Sequence, residues 1–280
     1  MKLLRFGPKG QEKPGIIDAD GNVRDLSGKV DDFAGEAVSL AAIDAIRAID
    51  IDSLPVVTPD RIGACLADVP NFYCIGLNYA KHAAEAGLAL PVEPILFNKA
   101  TSALSGPNDP VIIPRGSEKS DWEVELGVVI GKAASYVSEE DALDYVAGYC
   151  TINDMSERSY QMDRGGQWIK GKSAPSFGPT GPYLVTADEV PDPQALRLSL
   201  KLNGETVQDS STSDMVFTVR QIISNMSQFM ELRPGDIIAT GTPEGVGMGM
   251  KPPRYLRPGD VMELEVEGLG AQRQETVAAE

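Results

Sequence analysis

The chain has 280 residues, of which 42% are hydrophobic and 24% charged, a composition typical of a soluble globular protein. Its formal net charge of -16 at pH 7 argues against partners such as nucleic acid or an anionic membrane, since both require basic patches. No apolar run approaches the ~18 residues that span a bilayer, and the N-terminus lacks a signal-peptide pattern, so we expect a cytoplasmic protein.

The N-terminal residues predict a small α/β module at 1–65. Short strands are predicted from Lys2 to Arg5 and from Gly15 to Asp18, and a helix follows with Ser39 as its N-cap. Prolines at positions 55 and 59 predict an extended linker, so a larger catalytic domain is expected at residues 70–280.

The strand predicted from Asp121 to Ile130 carries the first candidate site. Its residues alternate between two faces, so Glu123 and Glu125 project side by side from one of them. A second apolar run ends just before Asp154, whose carboxylate could complete a three-oxygen face. Such a face suits a hard divalent cation such as magnesium or manganese.

A solvated strand face is the alternative interpretation of these glutamates, and spacing alone leaves it open. Residues 261–267 show the same alternation of glutamate and apolar residues without any further sign of a site. The earlier strand differs because its acidic face continues as Gly127 and Val129. Carboxylates at such an apolar margin need a counter-charge.

The single histidine, His82, lies three residues before Glu85. On a helix the two side chains share a face and can hydrogen-bond, which would orient the imidazole as a general base that activates water. The small residues around them would pack weakly, as in a mobile lid. A lone histidine is also common as an ordinary surface or core residue, and both interpretations stay open here.

Local signals in the C-terminal half predict a hairpin and a helix. Asn203-Gly204 favours a type I′ turn, and Thr218 with Gln221 favours a capping box. The buried stripe of that helix is expected to consist of Val219, Ile222, Ile223, Met226, Phe229 and Met230. Many short strands with few helices indicate an α+β, mainly β architecture.

Residues 166–173 match the phosphate-loop pattern GxxxxGK[ST], which would make the chain a nucleotide hydrolase. A phosphate loop follows a buried strand and begins a helix, whereas this segment follows polar residues and precedes several prolines. The glycine-rich residues 241–247 also lack the setting of a dinucleotide site. We expect backbone there to approach a small ligand closely.

Several motifs occur in a fixed order along the chain. They are Gly76-Leu77-Asn78-Tyr79 with His82 and Glu85, then Glu123-x-Glu125-Leu126-Gly127, Asn153-Asp154 with Arg158 and Gln161, Gly171-Lys172-Ser173, and Thr240-Gly241-Thr242-Pro243-x-Gly245-Val246-Gly247. This ordered set resembles the fumarylacetoacetate hydrolase family. The resemblance implies a mixed β-roll with a small, variable N-terminal module, assembled as a homodimer.

The resemblance also implies roles for the matched residues. The ligands implied for magnesium or manganese are Glu123, Glu125 and Asp154. The residues implied to form a catalytic dyad on a lid are His82 and Glu85. The groups implied to steady a developing oxyanion are Arg158, Gln161 and Lys172.

Two further positions concern the substrate. Thr242 matches the residue that holds the carboxylate end of the substrate in this family. Leu77 stands where some acylpyruvate hydrolases and decarboxylases of the family have arginine, so the resemblance does not imply a second acidic group on the substrate.

The implied reaction is hydrolysis of the C3–C4 bond of a 2,4-dioxo acid. The N-terminal segment and the residues after Asn153 are similar to the branch that hydrolyses 2,4-diketo-3-deoxy-L-rhamnonate or L-fuconate to pyruvate and lactate. An oxaloacetate-type decarboxylase or tautomerase of the same family is the alternative, and a phosphate-loop nucleotide hydrolase is a distant one.

Overall fold

The computed structural model describes residues 1–280, and the chain is mainly β, as expected. The strands are β1 (Lys2–Phe6), β2 (Lys13–Ile17), β3 (Val23–Asp25), β4 (Val56–Val57), β5 (Phe72–Gly76), β6 (Ile95–Lys99), β7 (Leu104–Ser105), β8 (Val111–Ile113), β9 (Ser120–Asp121), β10 (Val124–Ile130), β11 (Val146–Asn153), β12 (Ser156–Glu157), β13 (Gly178–Pro179), β14 (Leu184–Thr186), β15 (Arg197–Leu202), β16 (Glu205–Ser211), β17 (Ile237–Ala239), β18 (Val261–Val266) and β19 (Gly270–Ala278). The α-helices are α1 (Leu40–Arg47), α2 (Ala80–Glu85), α3 (Arg158–Met162), α4 (Ile169–Lys172) and α5 (Val219–Met226).

A ten-stranded mixed sheet forms the centre of the molecule, in the order β4-β3-β2-β1-β14-β11-β10-β17-β5-β6. The N-terminal strands join it through the antiparallel pairing of β1 with β14. The strands of residues 1–65 and strands of the later part of the chain therefore belong to one hydrogen-bonded sheet. The domain boundary near residues 65–70 stays a prediction.

Strand β10 lies in the interior of this sheet, between β11 and β17, and is buried along its whole length. Trp122 and the even-numbered residues of β10 pack into one hydrophobic core, together with α5 and β18. Val129 packs into a second core on the opposite face, with residues of α1 and the N-terminal strands. The alternation predicted from the sequence is therefore confirmed, and both of its faces are dry.

A five-stranded sheet, in the order β16-β15-β18-β19-β8, covers one side of the first core. The β15–β16 hairpin turns at Asn203 and Gly204, which have φ values of 52° and 83°, so the predicted type I′ turn is supported by its backbone. The apolar residues of β18 point into the core, and Glu263 and Glu265 are exposed on the other face.

Two helices begin where the sequence predicts. The side chain of Ser39 caps α1, and Thr218 and Gln221 form a capping box at the start of α5. The expectation that Phe229 is buried was wrong, because α5 ends at Met226 and the Phe229 side chain is 69% exposed. No helix of the chain is both long enough and apolar enough to span a bilayer.

Candidate active site

Three carboxylates meet where β10 and β11 come together. The register pairs Val124 with Asn153, so the next residue, Asp154, lies beside Glu123 and donates its backbone N–H to the Glu123 carbonyl at 2.9 Å. One oxygen each of Glu123, Glu125 and Asp154 lies within 4.8 Å of the other two. The spacing of these glutamates was also compatible with a solvated strand face. Glu123 is only 4% and Glu125 only 2% exposed, so the face is buried.

Three buried cations surround this acidic cluster. Lys172 Nζ lies 2.5 Å from Glu123 Oε2 and 2.6 Å from Asp154 Oδ2. Lys99 Nζ pairs with the other Asp154 oxygen and donates to the carbonyl of Met155 at 3.0 Å. Burial disfavours the charge of Lys172, but Asp154 and Glu123 outweigh it and raise the pKa of its ammonium group.

Arg158 connects the cluster to a fourth buried carboxylate. Its Nη1 lies 2.8 Å from Glu123 Oε1, and its Nε donates to Asp121 Oδ2 at 2.8 Å. Asp121 is completely buried and also accepts hydrogen bonds from the backbone N–H groups of Gly247 and Met248, at 2.7 and 3.0 Å. Asp121 therefore orients the guanidinium and holds the loop beyond it.

Charge in this cluster is unbalanced, and the imbalance lies at Glu125. The carboxylates of Asp121, Glu123 and Asp154 each form an ion pair, but Glu125 forms none and accepts a single hydrogen bond, from the Gly241 N–H at 2.8 Å. Burial and the neighbouring Asp154 and Glu123 raise the pKa of Glu125 well above its usual value.

The donor set fits a divalent metal. A dry carboxylate that lacks a counter-charge, beside two further carboxylate oxygens, is the environment that magnesium or manganese prefers. Burial also disfavours the charge of Glu123, but Lys172 and Arg158 outweigh it, and the pKa of Glu123 lies well below its usual range. Glu123 is therefore ionised and available as a ligand at neutral pH.

The glycine-rich loop binds the protein's own carboxylates through its backbone. Gly241 donates to Glu125, and Gly245 donates to both oxygens of Glu85 at 3.2 Å. A Cβ on Gly245 would lie 1.9 Å from the Val207 carbonyl oxygen, and one on Gly249 would lie 2.1 Å from Glu85 Cδ. Glycine is needed at Gly245, whose φ is 96° and whose Cβ would meet backbone, whereas a Cβ at Gly249 would displace the Glu85 side chain.

Helix α2 brings His82 to the cleft that Glu123 and Glu125 line, with Glu85 beside it on the same helix. His82 is buried, and its Nδ1 lies 3.4 Å from Glu85 Oε2, the i, i+3 pair expected on a helix. The residues Leu77 and Gly87, one on each side of the helix, have φ values of 53° and 69°, so the backbone is left-handed at both. Left-handed backbone at a non-glycine residue is uncommon and is enriched at functional sites.

The cleft combines the charged cluster with an apolar wall. Its lining residues are Ile75, Gly76, Leu77, His82, Ala86, Leu88, Phe97, Glu123, Glu125, Arg158, Gln161, Met162, Trp168, Lys172, Thr242 and Met248. Its free volume of about 60 Å³ is well below the ~150 Å³ of a cavity that admits benzene, so only part of a five- or six-carbon substrate fits within it.

Several donors of the residues that line this cleft have no partner within the protein. They include Arg158 Nη2, the side-chain amide of Gln161, and the backbone N–H of Thr242. The Thr242 hydroxyl is already used, since it donates to the Val124 carbonyl at 3.0 Å and accepts from Gln208 at 2.9 Å. The group that Thr242 can offer to a ligand is therefore its backbone N–H.

The segment that matches the phosphate loop has a different environment. It follows a turn after α3, contains the four-residue α4, and continues without a helix beyond Ser173. Its lysine, Lys172, contacts carboxylates. The strand and helix that a phosphate loop needs are absent here.

The sequence had not singled out two residues of the cluster, Lys99 and Asp121. Asp121 has the same parity as Glu123 and Glu125, so alternation could have assigned it to their face. Lys99 closes a short apolar strand, and its role depends on the parallel pairing of β5 with β17, which brings the β5–β6 hairpin to the site. A lysine at the end of a short apolar run was the only signal in the local sequence.

Comparison with known proteins places the chain in a family. Residues 71–277 match the family model described as Fumarylacetoacetate (FAA) hydrolase C-terminal. The chain belongs to the fumarylacetoacetate hydrolase family. The family resemblance inferred from the motifs is thereby confirmed, and the chain is an enzyme of this family.

Relatives of this chain match over its full length. A protein of Burkholderia multivorans, which is named only as a hydrolase, is 59% identical to this chain over 281 residues. The match covers 100% of both chains. The structure of fumarylacetoacetate hydrolase from Exiguobacterium antarcticum is 36% identical with a TM-score of 0.86, again over 100% of both chains. Maleylpyruvate hydrolase from Sphingobium sp. SYK-6, solved with manganese (II) ion and pyruvate, is 28% identical with a TM-score of 0.78 and the same coverage.

Proposed function

We propose that this enzyme hydrolyses the C3–C4 bond of a 2,4-dioxo acid, releasing pyruvate and a carboxylic acid. One observation supports the proposal most directly: the cleft is lined by Glu123 and Glu125 of the buried carboxylate trio, by His82 of the His–Glu pair and by residues with unpaired donors. This arrangement can bind an oxygen-rich anion, supply a base for water and hold a developing negative charge.

Glu123, Glu125 and Asp154 would hold magnesium or manganese. When bound, the metal supplies Lewis-acid polarisation of the 2-oxo acid end of the substrate. The structural neighbour solved with manganese and pyruvate supports both the metal and the product, because it shares the fold over the full chain.

The residues of this chain account for the proton transfers. His82, oriented by Glu85, takes a proton from water, and the resulting hydroxide adds to the C4 carbonyl carbon. The C4 oxyanion accepts hydrogen bonds from Arg158 Nη2 and the Gln161 amide, with Lys172 as the nearby positive charge. Each such donor is worth about 3 kcal/mol in comparable sites.

Collapse of the tetrahedral adduct then breaks the C3–C4 bond. The bonding electrons go to C3 and give the enolate of pyruvate, which takes up a proton, while C4 leaves as a carboxylic acid. For a 2,4-diketo-3-deoxy-L-rhamnonate or L-fuconate substrate that acid is lactate. The similarity of the N-terminal segment to that branch of the family supports these two acids as the first substrates to test.

The proposal is tested with a panel of 2,4-dioxo acids and oxaloacetate, assayed for pyruvate with and without chelator. We expect pyruvate from the dioxo acids and its loss on metal removal. Faster turnover of oxaloacetate would support the decarboxylase alternative. Magnesium-dependent nucleotide hydrolysis that is lost in Lys172→Met would support the phosphate-loop alternative.

The variant His82→Ala tests the dyad separately. We expect kcat to fall about 100-fold or more because the base is lost, with metal affinity retained since His82 is outside the carboxylate trio. Lys81→Ala on the same helix is the matched control, because the Lys81 side chain is 67% exposed and outside the cleft. Unchanged turnover in His82→Ala would remove the dyad from the mechanism.

A further inference from the structure

The cleft has two chemically different halves. All of its ionised groups belong to the metal-site cluster or to the His82–Glu85 pair. Apart from the polar residues Gln161 and Thr242, the remaining lining residues form the apolar half: Ile75, Gly76, Leu77, Ala86, Leu88, Phe97, Met162, Trp168 and Met248. The Trp168 ring packs edge-on against Phe97, with centroids 5.1 Å apart, and also lies against Gly76, where a Cβ would approach its ring to 2.5 Å. This apolar half is therefore a formed wall.

No unpaired cation faces the apolar half. The cleft contains two strong cations, Arg158 and Lys172, and both are ion-paired with carboxylates of the cluster. The third cation of the cluster, Lys99, is 1% exposed and bound to Asp154. A second anionic group on a ligand would therefore meet no counter-charge there.

The net charge of the whole cluster also argues against a second anionic group on the ligand. The four carboxylates of Asp121, Glu123, Glu125 and Asp154 face the three cations Lys99, Arg158 and Lys172, which leaves one negative charge. With a divalent cation the cluster would carry one positive charge. One substrate carboxylate balances that charge, and a second would be in excess.

We propose that the apolar wall is the specificity-determining subsite and that it restricts this enzyme to 2-oxo acids whose distal acyl group is uncharged. Leu77, Leu88, Trp168 and Met248 are the residues assigned to this selection. The proposal rests on the proposed function for the identity of the reactive 2-oxo acid end, and it adds the chemical class of the other end.

The physical reason is the cost of desolvation. A carboxylate that leaves water for an apolar wall without a partner loses far more hydration energy than it regains. An alkyl or hydroxyalkyl group of the same length buries apolar surface at no such cost. Ligands that differ only in a terminal carboxylate should therefore be separated by a large factor.

Two 2-oxo acids that the reaction cannot cleave provide a matched pair. 2-Oxopentanoate and 2-oxoglutarate have the same chain length and differ only in the distal carboxylate. Calorimetric titration of the manganese-loaded enzyme should give a Kd for 2-oxopentanoate about 100-fold lower than that for 2-oxoglutarate. Equal affinities, or tighter binding of 2-oxoglutarate, would overturn the proposal.

A charge placed on the wall should relax this selection. Leu88 lines the cleft and is 50% exposed, so Leu88→Arg can be accommodated and places a cation at its rim. We expect it to strengthen 2-oxoglutarate binding at least about 10-fold relative to 2-oxopentanoate. Leu90→Arg is the matched control, since Leu90 is 52% exposed in the same segment but does not line the cleft.

Leu77→Arg provides a second position on the wall, with circular dichroism as the check that it folds. The proposal is overturned if neither Leu88→Arg nor Leu77→Arg changes the ratio of the two affinities, or if Leu90→Arg changes it equally. Failure of the proposed function has a different signature. In that case no 2,4-dioxo acid yields pyruvate, whatever the ratio of the two binding constants.

Discussion

Two strands of this protein carry the same alternation of glutamate and apolar residues and have opposite surroundings. In and beside β10, Glu123 and Glu125 are 4% and 2% exposed, whereas Glu263 and Glu265 of β18 are exposed. Strand β10 lies inside the ten-stranded sheet with a core on each face, but β18 packs only one face. Spacing thus determines which side chains share a face, and the neighbouring elements determine whether that face is dry.

The largest difference between the two faces should come from removing a cation. Lys172→Met leaves Glu123 and Asp154 buried without their shared ammonium group, so we expect the free energy of unfolding to fall by about 3 kcal/mol or more. Lys201 pairs across the ladder with Glu263 on the exposed face, and Lys201→Met should change stability by less than about 0.5 kcal/mol. Urea unfolding of the two metal-free variants makes the comparison. Similar losses in both would contradict the difference in burial.

Removing a carboxylate should lower metal affinity when it is removed from the buried face of β10, and not when it is removed from the exposed face of β18. Glu125→Gln takes away the one carboxylate of the trio without an ion pair, and we expect manganese affinity to fall at least about 100-fold. Glu265→Gln is the matched change on β18 and should leave the affinity at the wild-type value. Isothermal titration calorimetry of both variants measures this. Retained manganese binding in Glu125→Gln would show that the trio is not the site.

The pH dependence of stability gives a smaller and sign-specific effect. The folded pKa of Glu125 is raised above its ordinary value of 4.5 by burial and by Asp154 and Glu123. Its contribution to stability is therefore fully present below about pH 4.5 and is lost as pH rises through the folded pKa. Relative to the metal-free wild type, Glu125→Gln should become more stable as pH rises above 4.5. Chemical unfolding at several pH values checks this, and an opposite trend would contradict the assigned cause.

The smallest effect is expected on the exposed face itself. The double variant Glu263→Gln with Glu265→Gln should change the free energy of unfolding by less than about 0.5 kcal/mol and should leave kcat unchanged. Thermal unfolding and a steady-state assay measure the two quantities. A large loss in either would mean that the β18 face has a role that its exposure does not reveal.

Local features of the fold could be predicted from the sequence because their causes are local. The cap at Ser39, the capping box of Thr218 and Gln221, and the Asn203-Gly204 turn each depend on residues within a few positions. The burial of Phe229 was predicted wrongly because the apolar periodicity continues beyond Met226, where α5 ends. Periodicity alone does not show where a helix ends.

The site could be predicted only in part, and for a physical reason. Alternation placed Glu123 beside Glu125, but their burial depends on β11 and β17, which pair from distant positions in the chain. The role of Lys99 depends on such pairing as well, and so does the use of the Thr242 hydroxyl by Val124 and Gln208. These contacts join residues that no short window of sequence contains.

The most direct test of the central claim is a crystal of this protein soaked with manganese and measured for anomalous scattering. The account predicts one strong peak bounded by carboxylate oxygens of Glu123, Glu125 and Asp154, and none beside Glu263 and Glu265. A peak elsewhere, or no peak under conditions where calorimetry shows saturation, would contradict it.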